Sequence, residues 1–438
     1  MSETPVVADE TAEAVKVADA AHQVATPVVT VGPSLGAQRA LADLTTTPDQ
    51  VRTALQAMQA ELGAEFFERG AVIEGLLLAV LAKEHAFILG PPGTAKSALT
   101  RAFFARFTGA EYFEAILSKT RPAEAILGPY DIPELRDKGH LYRKINGFLP
   151  TCNFAMLDEV GKMSPTLGHD LLAVILERRL HQVNGGRSWY DVPLYSFIGG
   201  SNELPTEESD DAAALWDRLL VRLVVDYVND TSAWVSLIAG SGSTTTPTTV
   251  DFPSLAYVID VEVPQVVIPH DVLDTLVQLR ELMRAEEISP SDRRWKQCMK
   301  LLRASAWLDG RTEATTDDIA VLRHALWENP VQIDKVERMT LQVSNPFAEQ
   351  VLTFREKLGE IVKEAAEGKD LSNEKRAGLG VSLNRNIKQL IKEASDAKQV
   401  AIAQGASVAK FDELLTSINV VRREVYSTIL EIDVQDFN

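Results

Sequence analysis

Two stretches early in the chain carry apolar residues at helical spacing. Apolar positions recur every three or four residues at 51–62, and the stretch 71–82 repeats that spacing, which predicts two amphipathic helices. Thr47 precedes the first stretch and Gln50 follows three residues later, a pair that predicts a capping box at the start of the helix. We therefore expect the ordered chain to begin near Thr47.

Short apolar runs follow these helices and alternate with further helical segments. The runs at 85–89, 153–157 and 194–198 each end beside Gly or Asp, which is typical of buried strands. The alternation of these strands with helical segments is typical of an open α/β sheet.

The end of the chain has a different pattern. From 351 to 361 the apolar residues step by three and four, and a longer run of the same kind at 411–432 predicts a coiled-coil-like seam. Together with the segment 383–403 these runs predict a helical hairpin or a three-helix bundle.

Shifts in composition divide the chain into segments. Residues 1–45 are rich in Ala, Val, Thr and acids with almost no aromatics, which predicts a disordered acidic tail. The Gly, Ser and Thr residues at 240–249 are typical of a linker. We therefore predict an α/β core at 46–239, a mainly helical segment at 250–330 and a C-terminal helical bundle at 346–438.

Charge and cysteine content narrow the classes of protein. The 438 residues include 62 acidic and 44 basic ones, for a formal net charge of −18, which argues against nonspecific binding of nucleic acid or of an anionic membrane. No apolar run has the length of a membrane span, and the start of the chain lacks the pattern of a signal peptide. Cys152 and Cys298 are far apart in sequence and imply no disulfide framework. We therefore expect a cytoplasmic protein.

The stretch after the first predicted strand has the layout of a phosphate-binding loop. Its residues are Gly90, Pro91, Pro92, Gly93, Thr94, Ala95, Lys96 and Ser97. In such a loop the backbone N–H groups surround phosphates, the Lys reaches the terminal phosphate oxygens and the Ser hydroxyl coordinates Mg²⁺. The positive end of the following helix attracts the same anion. A chance Gly/Pro loop is the alternative that the later motifs argue against.

The loop departs from the general pattern at one position. Ala95 stands where the pattern has Gly. Ala fits if the chain enters the helix with a negative φ, whereas a position that requires φ above zero would exclude it. We expect helical entry geometry at Ala95.

Polar residues follow the second and third predicted strands. Asp158 and Glu159 end the second strand, and a Mg²⁺-dependent nucleotidase needs one acid to hold the metal through water and another to orient or deprotonate the attacking water. Asn202 follows the third strand, at the end where ligands of open α/β sheets bind. It is therefore a candidate to polarise the γ-phosphate or the water, with a turn-forming Asn as the alternative.

Three arginines are candidates for contacts with a γ-phosphate. Arg218 and Arg222 lie four residues apart at a predicted helix end, so both can point from one face towards a neighbouring molecule. An Arg supplied in trans stabilises the transition-state charge of phosphoryl transfer; surface ion pairs with Asp217 or Asp226 are the alternative. Arg293, at the start of a later helix, can reach back to the nucleotide or remain solvated.

The order of these motifs resembles the MoxR-type AAA+ ATPases, most closely the RavA branch. The motifs that carry the resemblance are Gly-Pro-Pro-Gly-Thr-Ala-Lys-Ser, Leu-Asp-Glu, Ser-Asn-Glu-Leu-Pro, Leu-Trp-Asp-Arg-Leu-Leu-Val-Arg and Ser-Asp-Arg-Arg-Trp. The resemblance covers about 51–327, and the Ala before the Lys is usual in the family. It implies a P-loop AAA+ core with a five-stranded parallel sheet and a helical lid, assembled as a hexameric ring with ATP between subunits.

The resemblance also implies a role for each candidate residue. Lys96 and Ser97 match the Walker A pair, Asp158 and Glu159 the Walker B pair, Asn202 sensor 1, Arg293 sensor 2, and Arg218 the arginine finger, with Arg222 as the competing candidate. By the same analogy, adenine contacts come from around 69–73.

We therefore predict Mg²⁺-dependent ATP hydrolysis at the subunit interfaces of a homo-oligomeric ring, driving remodelling or chaperone-like maturation of a protein. In the family that partner is often a protein with a von Willebrand factor A domain, or a metal-cofactor enzyme undergoing maturation. A nucleic-acid-translocating motor on the same fold is one alternative, against which the acidic charge counts. A slow-turnover, nucleotide-gated scaffold is another, although a protein that only binds nucleotide does not need Glu159.

Overall fold

The structure is a computed structural model of the chain. It describes residues 44–163, 165–181, 189–204, 216–240, 246–344, 347–368, 373–403 and 408–428. These residues belong to one compact unit, Leu44–Asn438. The tail predicted at 1–45 lies outside the described residues except for its last two positions, as do half of the predicted linker and the end of the C-terminal seam.

A parallel sheet forms the centre of the unit. The strands in chain order are β1 Ala86–Leu89, β2 Phe107–Thr108, β3 Tyr112–Ile116, β4 Phe154–Asp158, β5 Arg179–His181, β6 Trp189–Asp191, β7 Ser196–Ser201, β8 Val221–Val224 and β9 Val250–Asp251. Among the described residues, five strands form one sheet in the order β3–β4–β7–β1–β8, and every neighbouring pair is parallel. The predicted α/β fold with a five-stranded parallel sheet is confirmed.

Helices fill most of the remaining chain. They are α1 Pro48–Glu65, α2 Gly70–Leu81, α3 Lys96–Phe104, α4 Glu124–Leu127, α5 Ile132–Lys138, α6 Pro165–Leu172, α7 Thr231–Ile238, α8 Phe252–Tyr257, α9 Val263–Gln265, α10 His270–Ala285, α11 Asp292–Leu308, α12 Ile333–Ser344, α13 Ala348–Gly368, α14 Asn373–Ala403 and α15 Ala409–Thr428. Single π turns follow α6 and α8, and the segment Thr316–His324 is a 3₁₀ helix.

Helix α1 begins at the predicted capping box. The Thr47 side chain accepts from the Gln50 backbone N–H at 3.3 Å, and the Gln50 side chain accepts from the Thr47 N–H at 2.9 Å, so two otherwise unpaired donors are satisfied. The buried side chains of α1 are Val51, Leu55, Met58 and Leu62. They follow the predicted stripe and fix α1 on the rest of the unit.

Helices pack on both faces of the sheet. On one face, β1 and β8 share a hydrophobic cluster with α1, α2, α10, α11 and α12. On the other face, β1, β4 and β7 pack against α4 and α6. Because α10–α12 share a core with α2, the helical lid is joined to the sheet by buried apolar contacts as well as by the chain.

The C-terminal helices have a hydrophobic cluster of their own. Helices α13, α14 and α15 contact one another pairwise, and four of the predicted seam positions on α15 are buried in this cluster: Phe411, Leu414, Ile418 and Val425. Of the two predicted arrangements, the structure shows a three-helix bundle. None of the described helices is long and apolar enough to cross a membrane.

The buried His85, just before β1, gives the fold a predictable pH dependence. Its Nδ1 accepts from the Phe197 N–H at 3.1 Å, so Nε2 carries the proton and donates to the Ile175 carbonyl at 2.8 Å. Burial, reinforced by the Arg178 charge, lowers the pKa of His85 to about 3. The folded protein therefore holds this ring neutral at pH values where the unfolded chain binds a proton.

We expect this histidine to destabilise the fold as pH falls. Above pH 6.5 the ring is neutral in both states, whereas between 6.5 and 3 only the unfolded state is protonated, so the free energy of unfolding falls by up to about 1.4 kcal/mol per pH unit. Urea unfolding at pH 7 and pH 5 measures this loss. A His85→Gln variant, which keeps a donor and an acceptor but does not titrate, should lose less; equal losses would contradict the prediction.

Candidate nucleotide site

The segment between β1 and α3 is a tight loop at the carboxyl edge of the sheet. The Gly90 N–H donates to the Ser201 carbonyl of β7 at 3.1 Å. A Cβ at Gly90 would lie 2.2 Å from the Val225 carbonyl oxygen, so only glycine fits between β7 and the end of β8. Farther along the loop, Gly93 has a φ of +82°. The loop is therefore fixed at its start by the sheet and turns by means of a left-handed residue.

Ala95 also has a left-handed backbone. Its φ is +63° and its ψ is 23° immediately before α3, so the expectation of helical entry geometry is wrong. An L-residue in this region costs about 1–2 kcal/mol. The two left-handed residues curl the loop around a hydrogen bond from Thr94 Oγ1 to the Pro91 carbonyl at 2.8 Å. Curled loops of this kind present backbone N–H groups to anions.

Replacing Ala95 with Gly should therefore stabilise the fold. We expect a gain of about 0.5–1 kcal/mol in the free energy of unfolding, because the relief of left-handed strain exceeds the entropy that glycine adds to the unfolded chain. Ala102→Gly, at a residue of α3 with helical geometry, is the matched control, and there we expect a loss of about 0.5–1 kcal/mol. Urea unfolding of both variants tests the opposite signs. A loss at position 95 would show that Ala is not strained there.

Lys96 begins α3 and lies across the loop. Its ammonium donates to the carbonyls of Gly90 at 2.6 Å and Pro91 at 3.1 Å, and to Asn202 Oδ1 at 2.8 Å. Burial lowers the pKa of this ammonium. The structure thus brings the predicted Lys96 and Asn202 together from two different strand ends.

The Ser97 hydroxyl and the Asp158 carboxylate form an oxygen pair beside the loop. Ser97 Oγ donates to Asp158 Oδ2 at 2.8 Å. Gly200 on β7 leaves room for this carboxylate, because a Cβ there would lie 2.6 Å from Asp158 Oδ1. Mg²⁺ favours hard oxygens and is usually held by one or two protein ligands together with phosphates. One hydroxyl and one carboxylate oxygen are therefore ligands of the kind that Mg²⁺ takes when phosphates complete its coordination. Among the described residues there is no group of three or more His, Cys, Asp or Glu side chains that could hold a metal.

Glu159 stands next to these groups in a strained conformation. Its φ is +59°, and such strain in a non-glycine residue is concentrated at functional sites. Its carboxylate accepts from Asn202 Nδ2 at 3.0 Å and lies 3.1 Å from Lys162 Nζ. Because the Asn202 oxygen accepts from Lys96 and its nitrogen donates to Glu159, one amide links the two charged groups.

The structure separates Arg218 from Arg222, and the expectation that both point from one helical face is wrong. Arg222 belongs to strand β8 and is 2% exposed. Its guanidinium donates to the carbonyls of Trp216 and Trp327. Arg218 lies in a short helical turn before β8, with its side chain 25% exposed and 3.9 Å from the Asp217 carboxylate. Of the two, only Arg218 is accessible to another molecule.

Arg293 lies near Arg218. It is exposed at the start of α11, and its charge adds to the effect of burial in lowering the pKa of Arg218. The next residue, Arg294, is 1% exposed and contacts the chain around Arg218. The structure therefore places Arg293 beside the other accessible arginine of the candidate set.

Sequence reasoning missed several residues that shape the site. The Gly199–Gly200 pair at the end of an apolar run was a readable signal of close packing, and Gly200 proves to face Asp158. Lys162 pairs with Glu159 at a distance of three residues, a spacing too common to be informative. Nothing in the sequence distinguishes the buried Arg294 from its exposed neighbour Arg293.

The fold and site together define a class of protein. The loop strand β1 lies between β7 and β8, and the acid-bearing strand β4 lies on the far side of β7. The phosphate loop, the two acids and the Asn all meet at the carboxyl edge of these strands. This arrangement is that of the P-loop proteins of the AAA+ class.

Comparison with known proteins gives the family. Residues 52–256 match a MoxR domain described for MoxR–von Willebrand factor A–β-propeller ternary systems, and residues 271–340 match an AAA lid domain. Two uncharacterized Methanocaldococcus jannaschii proteins are similar. One is 35% identical over 304 residues, covering 68% of this chain and 76% of that protein; the other is 36% identical over 316 residues, covering 71% and 81%. The chain belongs to the MoxR-type AAA+ ATPases.

A solved structure agrees with this fold. It is that of a candidate ATPase from Cytophaga hutchinsonii, with a TM-score of 0.52 and 16% identity, covering 67% of this chain and 96% of that one. At this identity the similarity shows the fold alone. The finer resemblance to the RavA branch stays a prediction.

Proposed function

We propose that this protein hydrolyses ATP, with Mg²⁺, at the interfaces between the subunits of a ring. The observation that carries the proposal is the hydrogen-bonded series from Lys96 through Asn202 to Glu159. It joins the cation of the phosphate loop to an acid at the end of β4. Binding of nucleotide requires the phosphate loop and its cation, whereas hydrolysis also requires a group that handles the attacking water.

Each residue of the candidate site has a separate task in the proposed reaction. Lys96 and the loop N–H groups bind the phosphates, and Ser97 and Asp158 would hold the metal. Mg²⁺, when bound, neutralises negative charge on the β- and γ-phosphates. Glu159 orients the attacking water and accepts its proton. Asn202, which contacts both Lys96 and Glu159, orients the water relative to the terminal phosphate.

The accessible arginines support catalysis between subunits. We propose that Arg218 is the arginine finger that reaches the γ-phosphate of a neighbouring subunit. Arg293, which lies close enough to affect the pKa of Arg218, would act at the same phosphate. Arg222 is not part of this proposal because its buried guanidinium is already bound to two carbonyls.

Helix α7 supports a protein contact next to the nucleotide. It buries none of its side chains. Its apolar side chains that are at least half exposed are Trp234, Val235, Leu237 and Ile238. The chain that leads into α7 is tied to the loop, since Tyr227 Oη donates to the Pro92 carbonyl at 3.2 Å. Exposed apolar surface of this kind marks sites of protein association.

We further propose that hydrolysis remodels a protein partner with a von Willebrand factor A domain. The support is the description of the matched MoxR domain, which names such a domain and a β-propeller as the other components of its systems. In this proposal the working parts are the core at 46–239, the lid at 250–330 and the bundle at 346–438. The RavA branch would supply the nearest mechanistic analogy.

The experiment that tests the ring is ATP hydrolysis measured against protein concentration, with native mass spectrometry on the same samples. We expect turnover per subunit to rise as a closed oligomer forms, because each site then receives Arg218 from a neighbour. Turnover that does not depend on concentration, in a protein that stays monomeric, would exclude interface catalysis. A protein that assembles and binds ATP without turnover would favour the nucleotide-gated scaffold.

Lys96→Ala should abolish tight nucleotide binding. Removing one partner of a buried charged pair costs about 2–5 kcal/mol, so we expect the Kd for ATP to rise by about 30- to 5,000-fold. Lys138→Ala is the matched control, because that side chain is 62% exposed on α5 and pairs with Glu134 at the surface. Calorimetric titration of both variants gives the comparison. An unchanged Kd for Lys96→Ala would move the phosphate site away from this loop.

A further inference from the structure

Two buried arginines surround Arg218 without any part in the proposed reaction. Arg294 at the start of α11 is 1% exposed, and Arg222 on β8 is 2% exposed. Both guanidinium groups donate to backbone carbonyls, in hydrogen bonds that are buried or part-buried. A guanidinium is suited to this because its five N–H groups lie in one rigid plane.

Arg294 holds the chain on both sides of Arg218. Its guanidinium donates to the carbonyls of Trp216 at 3.5 Å, Asp217 at 3.1 Å, Leu219 at 3.3 Å, Leu220 at 3.0 Å and Ala325 at 2.8 Å. The first four acceptors are the two residues before Arg218 and the two residues after it. The fifth lies directly after the 3₁₀ helix Thr316–His324. A side chain of the lid thus fixes the backbone from which Arg218 projects.

Arg222 fixes the same turn from the side of the sheet. It donates to the Trp216 carbonyl at 2.9 Å and to the Trp327 carbonyl, and its guanidinium lies 3.9 Å from the centre of the Trp216 ring. The Trp216 ring in turn meets Phe87 edge to face at 5.1 Å. Phe87 belongs to β1, the strand that leads into the phosphate loop.

A polar contact joins the turn to the lid as well. Ser291 caps the start of α11, and its hydroxyl donates to Asp217 Oδ1 at 3.3 Å. The other oxygen of that carboxylate lies 3.9 Å from Arg218 Nη1. The turn that carries Arg218 therefore contacts the lid through Arg294 and Ser291, and the phosphate-loop strand through Trp216.

We propose that Arg222 and Arg294 act as positioning residues that hold Arg218 in place for the active site of the neighbouring subunit. The inference rests on the proposed ring ATPase. A shift of the lid or of β1 in one subunit would move the carbonyls around residue 218, and with them the arginine that this subunit presents to its neighbour. The nucleotide state of one site would thereby affect catalysis at the next.

The test uses Arg294→Lys, with Arg222→Lys as a second variant from the other element. Lysine keeps the positive charge but has a single ammonium that cannot bridge the separated carbonyls. We expect rings of either variant to turn over ATP about 10²-fold more slowly, the effect of a misplacement of about 1 Å, with ATP affinity unchanged. Arg303→Lys on the same helix is the matched control, because Arg303 donates within the lid, to the Val266 carbonyl.

Mixed rings separate positioning from general damage. A positioning defect acts on the neighbour, so subunits with Glu159→Gln, which keep an intact Arg218, should restore hydrolysis at the sites of Arg294→Lys subunits. In rings formed by random one-to-one mixing, about a quarter of all sites combine an intact Glu159 with a correctly placed arginine from the neighbouring subunit. We call Arg294→Lys and Arg222→Lys the clamp variants, since Arg294 and Arg222 form the proposed clamp on the turn that carries Arg218. Recovery to about that level in the mixtures of both supports the proposal.

Three results would overturn it. Either clamp variant could remain inactive in mixed rings, which would place its defect in its own active site or its fold. The Arg303→Lys control could lose as much activity as Arg294→Lys. The third result concerns the reference mixture of Arg218→Ala with Glu159→Gln subunits, which tests the ring itself and could also stay inactive. If the reference mixture recovers activity and the mixtures with the clamp variants do not, the positioning proposal is wrong and the ring mechanism stands. If the reference mixture also stays inactive, both the ring mechanism and the positioning proposal are wrong.

Discussion

Replacing Glu159 with Gln is expected to lower kcat for ATP hydrolysis by about 10²- to 10⁴-fold, the usual contribution of a positioned general base. Binding should survive, because the phosphate contacts come from Lys96 and the loop. Gln also keeps an oxygen that accepts from Asn202 Nδ2, now at 3.0 Å, so the series that links the loop to β4 is retained. The variant therefore removes proton acceptance and little else.

Steady-state hydrolysis and the Kd for ATP, measured on the same preparation, test this prediction. Glu177→Gln is the matched control, because that carboxylate is half exposed near the β5–β6 hairpin and pairs with His181; its turnover should equal that of the wild type. Substantial turnover in Glu159→Gln would mean that another group handles the water. Loss of ATP binding would mean that Glu159 supports the loop rather than the reaction.

The sequence was sufficient for the parts of the site that depend on local pattern. A strand that ends in Gly90, a helix that begins at Lys96 and a second strand that ends in Asp158 are each readable from a few neighbouring residues. Parallel strands bring their carboxyl ends to one edge. Lys96, Asp158 and Asn202 lie at one edge of the sheet for that reason, as the hydrogen bonds Lys96–Asn202 and Ser97–Asp158 show.

Backbone strain and burial could not be read in the same way. The φ of Ala95 and of Glu159 is positive although neither residue favours it, because the loop and the strand end are fixed by contacts from elsewhere in the chain. Ala and Glu each carry a Cβ, so residue type gave the opposite expectation at position 95.

The arginines show the limit of spacing arguments. Arg218 and Arg222 are four residues apart, which puts them on one face only if the helix continues through both. The chain changes to strand β8 at Val221, where it pairs with β1, and Arg222 then points into the interior between two tryptophans. The pairing partner is more than a hundred residues away, beyond the reach of any local pattern.

Replacing Arg218 with Ala should have the largest effect of any single substitution in the proposed site. An arginine supplied in trans contributes about 10³- to 10⁵-fold to kcat in related phosphoryl transfers, and we expect a loss in that range with ATP affinity retained. Arg136→Ala is the matched control, since that side chain is 76% exposed and pairs with the adjacent Asp137. Hydrolysis by assembled rings of each variant gives the comparison.

Rings that contain two kinds of variant subunit show whether Arg218 acts at the nucleotide of its own subunit or at that of its neighbour. Arg218→Ala and Glu159→Gln subunits are each inactive alone, but an interface between them can combine the Glu159 of one with the Arg218 of the other. Random one-to-one rings should recover about a quarter of wild-type turnover. If Arg218 acts within its own subunit, no interface holds both groups and the mixture stays inactive. Recovery of turnover would instead mean that the exposed face around Arg218 lies against the phosphate loop of the next subunit.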